Sequence, residues 1–383
     1  MADSFVLSNG QIIPGIGFGT SRISQTDMRD VIFDALESGY RHFDTAHAYR
    51  TESALGEALQ DAIIYNKVSR SELYITTKLP TYHMRKDNVV SSLRESLKNL
   101  RIDYIDLYLV HVPASIKVES EYIPYPSCST DDYDYPDIID TWREMEKLVD
   151  AGLARAIGLS NFNASQVERI DNNARIKPVV NQIECHAYLQ QNKLVDVCKR
   201  RNISVTAYAP LGSPGLQIRN NGRYWDLFEE PVILKIAKCH QRTPAQICLR
   251  HLLQRGLILI PKTENTDRMR LNLEIKNFSL TKQEMEKLSK LDSNKRIFSF
   301  NGGKMHIQSD QYNLKINKPI LNITNEHKLK QQNITPTRRN NIPYSVFSTT
   351  KNLIEIITVE LEISDNGAVI VDIKTRLKLK MEI

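Results

Sequence analysis

Strand-length apolar runs alternate with longer helical patterns eight times over roughly 290 residues, which predicts an α/β fold, a closed (β/α)8 TIM barrel. A second observation argues against the open doubly wound alternative. That fold usually shows Gly-x-Gly-x-x-Gly early, with an acid about 20 residues later. Here Gly15-Ile16-Gly17-Phe18-Gly19 has its glycines at another spacing and no helix start behind it. A third is that polar residues stand at the ends of strand after strand, as in a barrel that builds its site there.

The chain opens on an N-terminal β-hairpin: Phe5-Val6-Leu7 and Ile12-Ile13 flank Ser8-Asn9-Gly10, and Asn-Gly suits a two-residue turn. The barrel strands are expected at Ile16–Gly19, His42–Asp44, Leu73–Thr77, Ile105–Val110, Ala156–Leu159, Val179–Ile183, Ser204–Tyr208 and Leu257–Ile260. Helical patterns follow near 27–38, 51–64, 87–99, 138–150, 164–171, 190–200, 231–254 and 265–272, with another near 281–291. Thr281-Lys282-Gln283-Glu284 is a capping box that opens this last one. Residues 112–137, rich in Pro, Tyr and Asp, and 211–229, rich in Gly and Asn, break the rhythm. Both follow a strand, so both are expected at the C-terminal mouth of the barrel.

The pattern ends near residue 300, which divides the chain into a barrel, 1–300, and a C-terminal tail, 301–383, that is poorly ordered or a small hairpin. Residues 301–352 show no steady period, whereas 353–383 alternate around Asp365-Asn366-Gly367. The tail holds 12 basic and 8 acidic residues and so contributes four of the chain's six net positive charges. Its Ile-, Asn- and Lys-rich composition also matches translated A/T-rich non-coding sequence, so a gene-model artefact is a live reading beside a genuine extension.

Composition narrows the function. A net charge of +6 on 383 residues is too small and scattered for nucleic acid. No run of about 18 apolar residues could span a membrane, and no secretory signal is visible at the start. Five cysteines without a Cys-x-x-Cys pair suggest reduced thiols, no zinc site or other metal, and a cytoplasmic protein.

The strand-end residues are Asp44, Lys78, His111, Ser160-Asn161, Gln182, Tyr208 and Lys262. Asp44-Thr45-Ala46-x-x-Tyr49-x-x-Glu52, Ile75-Thr76-Thr77-Lys78, Leu109-Val110-His111, Gly158-Leu159-Ser160-Asn161-Phe162 and Ile260-Pro261-Lys262-Thr263 together resemble the aldo-keto reductase superfamily, in its aldose and aldehyde reductase-like branch, over about residues 5–300. The resemblance implies a (β/α)8 barrel that reduces aldehydes or ketones with NADPH. It assigns Asp44, Tyr49, Lys78 and His111 to catalysis. A carbonyl needs a hydride at carbon, which no side chain supplies, and a proton at oxygen. Tyr49 is the expected donor, with Lys78 lowering its pKa, Asp44 holding Lys78 and His111 orienting the carbonyl.

The same resemblance carries the cofactor contacts. Ser160, Asn161 and Gln182 would hold the carboxamide, Tyr208 would stack on nicotinamide, and Leu211 and Ser213 would follow it along the cofactor. Lys262, Thr263 and Arg268 resemble the 2′-phosphate clamp and Asn272 the adenine contact, so NADPH is favoured over NADH. Glu264 is unfavourable there unless it points to solvent. Aldose reductase-like members carry Trp where this chain has Ser21 and Val112, so the pocket is expected to be wider, with Tyr224 and Trp225 as possible walls; Trp142 is read as core. The expected partner is a small-molecule carbonyl and the expected state a monomer. Two alternatives stand beside this reading: a ketosteroid or hydroxysteroid oxidoreductase, and a non-catalytic NADPH-binding barrel.

Overall fold

In a computed structural model the apolar runs form one curled parallel sheet. The structure describes residues 4–117, 136–214 and 226–298 in full, and the backbone of 133–134, 342–350, 353–363 and 369–379. The hairpin forms first, from β1 (Ser4–Val6) and β2 (Ile12–Pro14), with Phe5 opposite Ile13 and Gly10 at φ 85° in the turn. Then come β3 (Phe18–Gly19), α1 (Met28–Ser38), β4 (His42–Asp44), α2 (Glu52–Ile64), β5 (Tyr74–Leu79), α3 (Lys86–Leu100) and β6 (Leu107–Val110). A short antiparallel pair, β7 (Ser115–Ile116) with β8 (Tyr133–Asp134), ties together the ends of the loop read as 112–137. The order resumes with α4 (Ile138–Asp150), β9 (Ile157–Ser160), α5 (Ala164–Asn173), β10 (Val180–Glu184), α6 (Asn192–Arg200) and β11 (Ser204–Tyr208). It ends with α7 (Pro231–His240), α8 (Pro244–Gln254), β12 (Ile258–Leu259), α9 (Thr266–Leu273) and α10 (Lys282–Ser289).

Eight strands pair in the order β3-β4-β5-β6-β9-β10-β11-β12. The edges meet at a parallel bridge between Ile16 and Leu259, where Gly17 N–H donates to Leu259 O at 2.7 Å and Leu259 N–H to Gly15 O at 2.9 Å. The expected barrel therefore closes, although the first strand holds its ladder only at Phe18–Gly19. Each helix is placed by its apolar stripe. In α1, Met28, Val31, Ile32, Ala35 and Leu36 are buried at the i, i+3, i+4 spacing of one face. The helix stops where Gly39 turns left-handed at φ 108°, and Tyr40 N–H returns to Ala35 O at 2.9 Å. Trp142 of α4 is core as expected, 1% exposed, with its indole N–H on Ile176 O at 3.1 Å.

The hairpin decides which end of the barrel is plugged. Leu7 and Ile13 pack with Tyr74, Leu107, Ala156, Val179 and Ile258, residues at or just before the first positions of their strands. The N-terminal end is thus plugged with apolar side chains, and polar strand ends are left to the other face.

Two expectations need correction. The single helical pattern read over 231–254 is two helices. Gln241, at φ 53°, ends α7, and Thr243 starts α8 with a capping box to Gln246 and Pro244 at the first turn. In the tail, β14 (Leu353–Ile363) and β15 (Val369–Leu379) form the expected hairpin, but β13 (Ile342–Thr350) pairs with β14 as a third strand. Its residues lie in a stretch that shows no steady period. The chain divides into two compact units, Met1–Asp310 and Gln311–Ile383.

Candidate active site

The expected strand-end residues do meet at one mouth. Asp44 ends β4 and is level with Thr76 of β5. Lys78, two residues further along β5, shares the face of Thr76 and reaches past the end of β4. Its Nζ donates to Asp44 Oδ1 at 2.6 Å and to Thr45 O at 2.8 Å, and stands 3.4 Å from Tyr49 OH. Lys78 is 0% and Asp44 2% exposed. Tyr49 ends a 3-10 turn, His47–Tyr49, that leaves β4. The Tyr49 and His111 rings meet edge to face, with centroids 6.0 Å apart at 78°. The four side chains of this tetrad are therefore grouped at one end of the barrel.

Electrostatics correct one expectation. Burial is the largest influence on the Tyr49 phenol and pushes it up; Lys78 pulls it down, Asp44 pushes it up again, and the net is above the ordinary value. Lys78 therefore does not bring the resting phenol below its usual range, and Tyr49 holds its proton at neutral pH. Burial alone would lower the Lys78 ammonium, but Asp44 and Tyr49 outweigh it and hold it up. His111 is pushed down to about 3 by burial and then by Lys78, so its imidazole is neutral. One ring nitrogen can still donate a hydrogen bond.

The next ring of residues is amide-rich. Ser160 of β9 and Gln182 of β10 are level in register. Gln182 Nε2 donates to Asp44 Oδ2 at 2.7 Å, which makes Gln182 a second clamp on the tetrad carboxylate. Asn161, at φ 64°, donates to His111 O at 2.9 Å and to Ser160 Oγ at 3.1 Å. Its Oδ1 accepts from Tyr208 OH at 2.9 Å. Asn161 thus joins three strand ends. Leu211 and Ser213 are half-buried in the turn after β11, where Ala209, Gly212 and Ser213 all have positive φ.

These donors can be tested against a nicotinamide carboxamide, which offers N–H groups and a carbonyl. Gln182 uses its N–H on Asp44 and so presents Oε1 as acceptor, while the Ser160 hydroxyl accepts from Asn161 and keeps its proton to donate. One acceptor and one donor suit the group. At the far end, Arg268 lies exposed in α9, whose N-cap Asn265 accepts from Arg268 N–H at 2.9 Å. Lys262 is exposed but ion-paired with Glu264. Glu264 therefore does more than point to solvent; it engages the Lys262 ammonium. Thr263 Oγ1 accepts from Asn265 N–H at 3.2 Å. Asn272 is 4% exposed and hydrogen-bonds the Tyr40 phenol.

Ser21 is half-buried and Val112 is 3% exposed; Tyr224 and Trp225 lie outside the described residues. Among the described residues no group of His, Cys, Asp and Glu could hold a metal. A cavity of about 420 Å³ lies at the other end of the barrel, lined by Ile12, Arg41, Tyr74 and Arg155 among others, and no tetrad residue lines it.

Sequence reasoning gave no role to Glu52 or His47. Glu52 accepts from Thr77 Oγ1 at 2.6 Å and faces His47 Nδ1 at 3.5 Å. Glu52 is also what holds the His47 imidazole above its ordinary pKa, and the pair fixes the turn that carries Tyr49. His47 and Tyr82 rings meet 6.1 Å apart, and Tyr82 and His83 rings 4.6 Å apart, beside that turn. Glu52 stands in the motif quoted above; Tyr82 and His83 sit in a post-strand turn that carries no pattern.

Comparisons with known proteins show the family and the fold. The family model described as "Aldo/keto reductase family" matches residues 14–293. Aldo-keto reductase family 1 member A1 of Gallus gallus is 42% identical over 301 residues, covering 77% of this chain and 90% of its own. Prostaglandin F synthase 1 of Bos taurus is 38% identical over 305 residues, covering 78% and 94%. Among solved structures, the aldose reductase from Schistosoma japonicum superposes with TM-score 0.73 at 38% identity, over 81% of this chain and all of that one. A Bombyx mori aldo-keto reductase in complex with NADP gives TM-score 0.71 at 37% identity, over 77% and 94%.

Proposed function

Because this chain belongs to the aldo/keto reductase family, we propose that Asp44, Tyr49, Lys78 and His111 carry out its NADPH-dependent reduction of aldehydes or ketones to alcohols. NADPH, when bound, supplies the hydride that the carbonyl carbon needs. The side chains handle the oxygen. Neutral His111 donates a hydrogen bond that orients it, and Tyr49 gives it a proton. The phenolate left behind lies 3.4 Å from the Lys78 ammonium. Lys78 thus acts on the anion formed during transfer more than on the resting phenol, which is where differential stabilisation speeds a reaction. Asp44, clamped by Gln182, keeps Lys78 charged in a site with almost no exposure. This buried ion pair aimed at a phenol is the observation that carries the reading; an NADPH binder without chemistry has no need of it.

Ser160, Asn161, Gln182 and Tyr208 would hold the nicotinamide end, with Leu211 and Ser213 beyond them. Lys262, Thr263, Arg268 and Asn272 would hold the adenosine 2′-phosphate end. Ser21 and Val112, small side chains at the mouth, support a carbonyl bulkier than a short aldehyde, so ketones of the steroid class stand as the second substrate reading. Asp44, Tyr49, Lys78 and His111 all come from one chain, which supports a monomer, and free thiols at Cys185, Cys198, Cys239 and Cys248 support a reducing, cytoplasmic setting. Loss of NADPH absorbance across a panel graded from short aldehydes to bulky ketones tests the proposal. Turnover is expected with at least one class and should favour NADPH over NADH. Tight NADPH binding with no carbonyl reduced would leave only the non-catalytic barrel.

A further inference from the structure

Glu184 ends β10 with its carboxylate wholly buried, 0% exposed, and the mechanism does not use it. Its partners come from a segment more than 110 residues away. Ile297 N–H donates to Oε1 at 2.7 Å and Phe298 N–H to Oε2 at 3.1 Å. Arg296 Nη1 is 3.8 Å from Oε2, and His186 Nε2 is 3.1 Å from Oε1. The rest of that segment is tied to the same turn: Ser293 N–H and Lys295 N–H both donate to Tyr188 O, at 3.1 and 3.0 Å, and Asp292 Oδ1 accepts from Gln190 N–H at 3.2 Å. Where the segment leaves Glu184, the Phe298 ring meets Tyr208 edge to face, with centroids 5.6 Å apart at 71°. Glu184 and Tyr208 are themselves level in the β10–β11 ladder. The Tyr208 ring is therefore held at its hydroxyl by Asn161 and through an edge-to-face contact by Phe298.

We propose that Glu184 is a positioning residue that latches residues 296–298 to the barrel mouth, so that the Phe298 ring sets the stance of Tyr208 for the cofactor. None of Glu184's hydrogen bonds reaches the tetrad, so it acts through Phe298 and Tyr208. A carboxylate suits the task because it only accepts, and it offers two oxygens to two successive backbone N–H groups. An apolar residue could fill the space but would leave those N–H groups unpaired and the segment unregistered.

The inference rests on Tyr208 being the nicotinamide platform. Its test uses the full chain with Glu184→Gln, Phe298→Ala and the double variant, measuring NADPH affinity by fluorescence titration, carbonyl KM and kcat, and the thermal midpoint. Glu184→Gln keeps the shape but turns one oxygen into a donor that opposes a backbone N–H. It should weaken NADPH by about 5- to 20-fold, and Phe298→Ala should do the same. The double variant should be no worse than the weaker single one, since both cut one chain of contacts. Losses that multiply, or a Glu184→Gln protein that melts earlier yet binds NADPH as before, would overturn the latch. Should Glu184→Gln fail to fold, unchanged NADPH affinity in Phe298→Ala would overturn it, and weakened affinity would support it. A wild-type chain that binds NADPH but reduces no carbonyl would instead refute the reductase reading, and the affinity comparison would still decide the latch.

Discussion

Lys262 and Arg268 differ in what already neutralises them. Lys262 is ion-paired with Glu264, while Arg268 is exposed at the start of α9. Arg268 should therefore carry more of the 2′-phosphate grip. Arg268→Ala is expected to weaken NADPH by about 1.5–3 kcal/mol, the range for hydrogen bonds to charged groups, and to leave NADH nearly unchanged. Glu264→Gln should tighten NADPH by freeing Lys262. Equal losses for both cofactors in Arg268→Ala would remove the assignment. A second expectation concerns protons. His42 and His251, each 1% exposed, are held down by burial to about 4 and about 3. Between those values and 6.5 the unfolded chain binds protons that the fold refuses, so stability rises with pH there and levels off above 6.5. Each group contributes a slope of at most about 1.4 kcal/mol per pH unit. His111, held down to about 3, adds to the rise, and His47, held up by Glu52, acts in the opposite sense, but one such histidine is outweighed by three. Urea unfolding at pH 5 and pH 7 checks this, and equal stability at both would contradict it. At this scale the sequence set Asp44, Lys78 and His111 at strand ends, with Tyr49 just beyond one, and the structure brings the four side chains together because strand ends of one barrel converge. It could not give the upward shift of Tyr49, which comes from burial, nor Glu184, which reads as one more strand residue.

Helix α2 approaches α3 so closely that a Cβ on Gly56 would lie 2.4 Å from Asn99 O and 2.6 Å from Leu100 C, both backbone atoms that cannot swing aside. Alanine is the better helix former by about 1 kcal/mol. Overpacking against backbone should exceed that gain, so Gly56→Ala is expected to lower stability by about 1–3 kcal/mol. A thermal midpoint at or above that of the parent chain would show that the helices part freely. The contact is invisible in sequence, where Gly56 looks like a weak point in a helical pattern. Other elements were legible: His42–Asp44, Ser204–Tyr208 and 138–150 have the expected bounds, since apolar alternation and helical spacing are local signals. The fusion of α7 with α8 shows the limit. Apolar spacing runs through the joint, and only the Thr243-Pro244-Ala245-Gln246 cap marks it. A cap signal inside a long periodic stretch should be weighed above the period.

The barrel unit is plugged at its base by the hairpin, and its polar strand ends meet at the other end. The family match ends at residue 293 and the compact barrel unit at Asp310. A chain ending at Asp310 is therefore expected to keep its thermal midpoint within about 2 °C, roughly what 1 kcal/mol shifts a domain of this size, and to keep its NADPH affinity. Failure to fold, or loss of NADPH, would make residues 311–383 a structural part of the enzyme. The barrel was legible because its eight-fold alternation is long. Of the tail only the hairpin was, because the strand at 342–350 has no strict alternation to announce it. On the proposed reading the labour is divided: Ser160, Asn161, Gln182, Tyr208, Lys262, Thr263, Arg268 and Asn272 would grip NADPH, and Tyr49 with Lys78 would move a proton. Tyr49→Phe separates the two, since it keeps the ring and removes the acid. With NADPH affinity and carbonyl turnover measured on the same preparation, affinity should stay within about twofold while turnover falls at least ~10²-fold, as expected for losing general acid catalysis. Near-normal turnover in Tyr49→Phe would contradict the assignment of the proton to this residue.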